Sequence, residues 1–156
     1  MFTLDGLLMR VNVHAVLRGP DGKIKEERHA HNLVTDAGCA HIADQLASSH
    51  DEGEMSHMAV GTDDTAPAAG NTTLGTELDR NALDSRTQGA GADDHKVVYV
   101  ASWAAGDGTG ALTEAGLFND ASAGTMLARV TFSVINKGAA DTLEITWTLT
   151  IADDGA

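Results

Sequence analysis

The chain has 156 residues, with 23 acidic side chains against 10 lysines and arginines, and its formal net charge is −13. That charge disfavours nucleic acid and anionic membranes as partners, because both would repel the protein at long range. The length predicts one domain, residues 1–156, and the single cysteine excludes an intrachain disulfide framework. No stretch approaches the roughly 20 apolar residues that cross a bilayer, and the first ten residues do not resemble a signal peptide. We therefore expect a soluble protein made in a cytoplasm, with no membrane partner.

The first predicted elements are two strands joined by a tight turn. Residues 7–17 read as a strand, residues 19–22 (Gly-Pro-Asp-Gly) predict the turn, and residues 23–32 return as a charged edge strand. The apolar residues Phe2, Leu4, Leu7 and Leu8 lie at the start of this hairpin.

A helix is predicted next, over residues 35–47, with Thr35 or Asp36 as its N-cap. Its apolar stripe has helical spacing and consists of Cys39, Ile42, Ala43 and Leu46. Cys39 is therefore expected to be a small buried hydrophobe. His41, near this stripe, is expected to be a surface or cap-side residue rather than a metal ligand.

The middle of the chain predicts short strands and loops. Residues 55–61 read as a strand, residues 62–73 as a loop of small residues, and residues 74–78 as one helical turn. A polar, exposed strand over residues 80–88 and an apolar strand over residues 96–104 follow.

The last third of the chain has the clearest pattern. Residues 112–118 and 125–134 predict a hairpin, and residues 143–151 alternate strictly between apolar residues and threonine or glutamate. The turn-forming residues 136–138 predict that the strands at 125–134 and 143–151 also pair. We expect Phe132 and Trp147 to face the core. The fold class is therefore mainly β, an antiparallel, jelly-roll-like β-sandwich with one short α-helix near residues 35–47.

His29 and His31 are the residues that most suggest a metal site. They share one face of a strand with Glu27, so both imidazoles could reach one ion. The sequence shows no spaced partner that would complete the ligand set, and two exposed histidines on an edge strand are the simpler interpretation. We therefore predict no metal and no cofactor.

Other polar groups give no enzyme signature. The acidic pairs at residues 63–64, 93–94 and 153–154 lie in loops and do not match a calcium-binding pattern. The glycine-rich residues 106–110 lack the lysine and the helix that follow a phosphate-binding loop, and no Gly-x-Ser-x-Gly motif is present. We predict that the protein is not an enzyme.

Several phrases of the sequence are similar to those of tailed-bacteriophage virion proteins. They are residues 58–62 (Met-Ala-Val-Gly-Thr), 65–74, 77–78 with Arg80, 113–118 (Thr-Glu-Ala-Gly-Leu-Phe), 126–130 (Met-Leu-Ala-Arg-Val) and 143–147 (Leu-Glu-Ile-Thr-Trp), together with the opening hairpin and residues 32–38. This resemblance spans nearly the whole chain and implies a structural component of a phage particle. Such proteins include capsid decoration (cement) proteins and tail- or fibre-associated proteins.

A compact, acidic chain without repeats favours a cement protein over a fibre subunit. The expected location is then the outer capsid surface of the virion, after a period in the host cytoplasm. The expected partners are the major capsid protein and copies of this chain, in a dimer or trimer. A tail- or fibre-associated protein is the first alternative. A carbohydrate-binding β-sandwich is the second, although both tryptophans are predicted to face inward.

The N-terminal segment is the predicted partner-binding surface, with Phe2, Leu4, Leu7 and Leu8 as the contact residues. Exposed apolar groups often mark interfaces, so residues 1–9 could form an interacting arm. Alternatively, the segment begins the first strand and packs on its own core.

Overall fold

The computed structural model describes residues 6–47 and 50–153, which form an antiparallel β-sandwich with one α-helix. The strands are β1 (Leu7–Arg18), β2 (Ile24–Val34), β3 (His57–Gly61), β4 (Glu77–Ala82), β5 (Ser85–Gln88), β6 (Lys96–Trp103), β7 (Gly110–Phe118), β8 (Met126–Lys137) and β9 (Thr142–Asp153). The helix α1 spans Asp36–Leu46, and a 3₁₀ turn spans Gly91–Asp93. The predicted class, mainly β with a short helix near residues 35–47, is confirmed.

The strands form one continuous ladder that folds over into two layers. Its order is β4-β3-β7-β8-β2-β1-β9-β6-β5, and neighbouring strands are antiparallel. We call β2-β1-β9-β6-β5 the first sheet, and β4-β3-β7-β8 with the end of β2 the second sheet. Strand β2 belongs to both because Leu33 and Val34, at its end, pair with β8.

Among the described residues, strand β2 lacks a hydrogen-bonded neighbour on one side for most of its length. The prediction that residues 23–32 form an edge strand is therefore confirmed in part. Its ladder with β8 is limited to Leu33 and Val34, whereas its ladder with β1 begins at Ile24. The Arg28 guanidinium partly closes the opening by donating to the main-chain oxygens of Ser133 and Val134. Charged residues on an open strand oppose pairing with a second chain.

The helix begins as predicted but packs on a different face. The Thr35 hydroxyl accepts a hydrogen bond from the Gly38 N–H at 2.9 Å and so caps the first turn. The prediction that Cys39 is buried is wrong, because Cys39 is exposed, and His41, expected at the surface, is buried at 4% exposure. The close contact of the helix with β8 explains the difference: a Cβ on Gly38 would lie 2.1 Å from the main-chain oxygen of Leu127. The helix therefore approaches β8 through its smallest residue, and of the predicted apolar stripe Ile42 packs against the core. With 11 residues, it is too short to span a membrane.

The hairpins β1–β2 and β7–β8 are confirmed, but the predicted pairing of residues 125–134 with 143–151 is wrong. Strand β8 lies in the second sheet and β9 in the first, so residues 138–141 carry the chain from one layer to the other. The Asp141 N–H donates to the Gly138 oxygen, and the buried Lys137 ammonium donates to the main-chain oxygens of Ala104 and Asp141. Two strands that face each other across a core show the same alternation as two strands that pair, so the pattern did not distinguish them.

The middle of the chain differs from prediction in two places. The helical turn expected at residues 74–78 is absent, because Leu74 lies in a loop and β4 begins at Glu77. The strand predicted at residues 80–88 is divided into β4 and β5, which lie in different sheets.

The core fills the space between the two sheets. Trp103 and Trp147 are fully buried there, and Phe132 is partly buried against the same cluster. An irregularity opposite Thr113 changes the alternation along β8, so Ile135 faces the core and Val134 is 39% exposed. A second, smaller cluster lies beneath the loop of residues 62–76 and consists of Ala59, Leu74, Phe118 and Met126.

Candidate functional site

The predicted partner-binding residues lie at the beginning of β1. Phe2 and Leu4 fall outside the described residues. The backbones of Leu7 and Leu8 pair with Asp153 and Ala152 of β9, while their side chains are 72% and 36% exposed. These two leucines are thus fixed in position by the sheet and remain available to a partner.

On the outer face of the first sheet, histidines that are distant in the sequence lie next to each other. His14 lies directly opposite His29, and their rings stack with centroids 4.3 Å apart and planes 5° from parallel. His14 Nε2 donates to Glu27 Oε1 at 2.5 Å, and His29 Nε2 lies 3.8 Å from the same oxygen. His31, which we had grouped with His29, instead bonds through Nδ1 to Asn12 Oδ1 at 2.6 Å.

A buried carboxylate holds the loop of residues 62–76 on the second sheet. Glu114 is fully buried, and its Oε1 accepts the N–H groups of Asp63 (3.2 Å) and Thr76 (2.8 Å). Its Oε2 accepts the Gly75 N–H and the Arg129 Nε–H, each at 2.9 Å. We call Glu114 and Arg129 the loop clamp. The sequence analysis missed it, although one glutamate and one arginine inside neighbouring apolar runs were a readable signal.

The loop clamp leaves one polar group without a partner. Arg129 is 3% exposed, and its Nη2 has no hydrogen bond and lies 3.8 Å from Asp63 Oδ2. Its Nη1 makes a long hydrogen bond of 3.3 Å to Asn71 Oδ1. Arg129 also lines a cavity of about 420 Å³ under the loop. Asp63 is held by the loop itself, because the Thr65 N–H keeps the pKa of its carboxyl below the ordinary value.

Arg80 anchors the turn between β7 and β8. Its guanidinium lies 3.7 Å from the centre of the Phe118 ring and pairs with Glu77 at 2.7 Å. The same group donates to the main-chain oxygens of Asp120 and Ala123. A cation over an aromatic face is favourable, so Arg80 joins β4, β7 and the turn into one unit.

No family model, curated protein or solved structure matches this chain.

An apolar cavity of about 370 Å³ lies between α1 and the first sheet. Its apolar walls include Ile42, Leu46, Met55, Val97, Leu127 and Ile151. His41 lines it and bonds through Nδ1 to Glu52 Oε2 at 3.0 Å. Tyr99 also lines it, and burial raises the pKa of the Tyr99 hydroxyl, with Arg86 opposing the shift and Glu54 adding to it.

Two further sequence candidates have local roles in the structure, whereas Asp154 of the third acidic pair lies outside the described residues. The Lys96 ammonium donates to Asp93, which lowers the pKa of that carboxyl. Residues 106–110 form a turn in which Gly106 and Gly108 adopt positive φ, as glycine permits. These groups act in local structure.

Proposed function

We propose that this protein is a capsid decoration (cement) protein of a tailed bacteriophage, which binds and stabilises the shell of the major capsid protein. The observation that carries the proposal is the role of the phage-like phrases in the fold. Residues 58–62, 65–74, 113–118 and 126–130 all contribute to the second sheet and the loop that covers it. Their two buried charges form the loop clamp. Sequence segments whose role is to pack the sheet and its loop are consistent with a structural protein that forms a stable part of a particle.

The surface supports the same proposal. A net charge of −13 keeps the protein away from packaged nucleic acid. The exposed side chains of Leu7 and Leu8 offer an apolar contact that is rigidly attached to the first sheet. Apolar groups of this kind often form part of an interface.

The alternative of a carbohydrate-binding module gains no support from the described aromatic residues. Trp103 and Trp147 are fully buried, and Phe118 and Tyr99 are 1% and 6% exposed. None of these four rings can stack on a sugar, and the fifth described aromatic residue, Phe132, is partly buried against the core. The alternative of a tail- or fibre-associated protein concerns location, and the experiment below distinguishes it.

The test uses heads assembled from the cognate major capsid protein without the decoration protein. We expect purified protein to sediment with these heads and to give density at regular lattice positions on their outer surface by cryo-electron microscopy. Protein that stays in the supernatant at saturating concentration, or that immunogold labelling finds on tails of complete virions, would overturn the proposal.

Two variants test the contact surface. Deleting residues 1–6 removes Phe2 and Leu4 and stops before β1, so the sandwich should fold. The double variant Leu7→Ser/Leu8→Ser removes the exposed leucines. We expect both variants to remain folded by circular dichroism and to lose head binding. The matched control is Ile24→Ser, because Ile24 is 50% exposed at the other end of the β1–β2 hairpin and should not affect binding. Intact binding by both variants would show that the contact lies elsewhere.

A further inference from the structure

The outer face of the first sheet carries three potential metal ligands that come from two strands. His14 is supplied by β1, and Glu27 and His29 by β2. Their ligand atoms all lie within 4.8 Å of one another. From this arrangement we propose that His14, Glu27 and His29 form a binding site for a divalent transition-metal ion, with Zn²⁺ as the best fit.

The distances require little rearrangement. In a tetrahedral zinc site the metal–ligand bonds of 2.0–2.2 Å separate neighbouring ligand atoms by about 3.4 Å. Glu27 Oε1 lies 2.5 Å from His14 Nε2 and 3.8 Å from His29 Nε2. These two separations differ from the required value by less than about 1 Å, and the third, between the two imidazole nitrogens, is at most 4.8 Å. Side-chain rotation can supply the adjustment because the His14, Glu27 and His29 side chains are 40%, 44% and 74% exposed.

The backbone already holds the two imidazoles in place. His14 and His29 are direct cross-strand partners, and their Nε2 atoms lie 2.5 Å and 3.8 Å from Glu27 Oε1. Because a ring nitrogen binds a metal in the plane of its ring, the stacked imidazoles must rotate about their side-chain bonds before both reach one ion. An ion would displace the proton that His14 Nε2 donates to Glu27. The neighbouring positions on this face, Val16 opposite Glu27 and Thr146 opposite His14, carry no charge that would repel a cation.

The ligand set favours zinc over magnesium or calcium. Two imidazoles and one carboxylate match the nitrogen and oxygen ligands of Zn²⁺, whereas Mg²⁺ and Ca²⁺ prefer oxygen ligands. Three protein ligands leave a fourth position, which water can fill. The sequence-based prediction of no metal rested on the lack of a third and a fourth ligand for His29 and His31. In the structure His31 bonds to Asn12 instead, and His14 joins Glu27 and His29.

Isothermal titration of tag-free protein with ZnSO₄ tests the proposal. We expect one Zn²⁺ per chain, no comparable binding of Mg²⁺, and a rise in melting temperature on adding Zn²⁺, since a ligand that binds the folded state stabilises it. His14→Ala and His29→Ala should each raise the Kd at least about 10-fold, the lower end of the loss seen even for residues that only support a metal ligand. Both variants should fold as the parent does, because the two side chains are at the surface.

His31→Ala is the matched control, since His31 lies on the same strand and bonds to Asn12 rather than to the cluster. It should bind Zn²⁺ as the parent protein does. The proposal would be overturned by the absence of saturable Zn²⁺ binding. It would equally be overturned by binding that survives loss of both His14 and His29, or by a loss in His31→Ala as large as in the ligand variants.

Discussion

Glu114→Gln should strongly destabilise the protein although it changes only one atom of the side chain. Each carboxylate oxygen of Glu114 accepts two hydrogen bonds. In glutamine one of these oxygens is replaced by an NH₂ group, which would face two N–H donors whichever way the amide is turned. The substitution also leaves the Arg129 charge buried at 3% exposure without its carboxylate. Breaking a buried ion pair by removing one partner costs about 3–5 kcal/mol, a large part of the roughly 5–15 kcal/mol that stabilises a typical domain.

Urea unfolding at pH 7, followed by circular dichroism, measures this loss. The matched control is Glu144→Gln, because Glu144 is exposed on β9 and should stay within about 0.5 kcal/mol of the parent. Hydrogen exchange should also show that the N–H groups of Gly75 and Thr76 lose protection. A Glu114→Gln variant as stable as the Glu144→Gln control would refute the loop clamp as a stabilising feature.

Four further predictions address the core, the connection at residues 138–141 between the two sheets, the helix and the surface charge. Trp147→Ala should lower the free energy of unfolding by about 3–5 kcal/mol in urea, as for other buried aromatic residues, whereas Thr148→Ala on the opposite face should change it little. Similar urea midpoints for the two variants would contradict the assignment of these residues to opposite faces. The Lys25 ammonium holds the pKa of the buried Asp141 carboxyl below its ordinary value of 3.8, so Lys25→Ala should lose stability at neutral pH and this difference should shrink as the pH falls below 3.8. A constant difference across a pH series of melting temperatures would contradict that linkage. Gly38→Ala should destabilise the protein in thermal melts, although alanine usually favours helices, because its Cβ would meet the backbone of β8. Added NaCl should raise the melting temperature by screening the self-repulsion of a chain with net charge −13, and a fall would show that attractive pairs dominate.

The sequence predicts local elements well because their signals are local. The turn at residues 19–22 and the Thr35 cap lie within a few residues of the structure they determine. The relation between β8 and β9 is different, because it depends on which strands fill the other positions of each sheet. Alternation of apolar and polar residues shows that one face of a strand is buried, but it does not show which element covers that face.

The histidine cluster was missed for a similar reason. A register shift between Leu17 and Arg18 of β1 sets which residues of β2 lie opposite. If the pairing of Arg18 with Ile24 continued without that shift, His14 would face Arg28 instead of His29. The register shift near the turn therefore determines whether the two imidazoles lie opposite each other, and the residue types in this hairpin do not predict that shift.

The strands nearest the two ends of the described chain are hydrogen-bonded neighbours in the middle of the first sheet. Strands β1 and β9 pair from Leu7 with Asp153 to Arg18 with Thr142. During synthesis the two hairpins can form early, but the first sheet lacks its centre until β9 has been made, and such long-range pairing is slow. Until then the edge of β1 that later pairs with β9 has no hydrogen-bonding partner, so the nascent chain should be accessible to chaperones and proteases. After folding, Leu7 and Asp153 are direct partners, so the two ends of the described chain lie side by side at one corner of the sandwich.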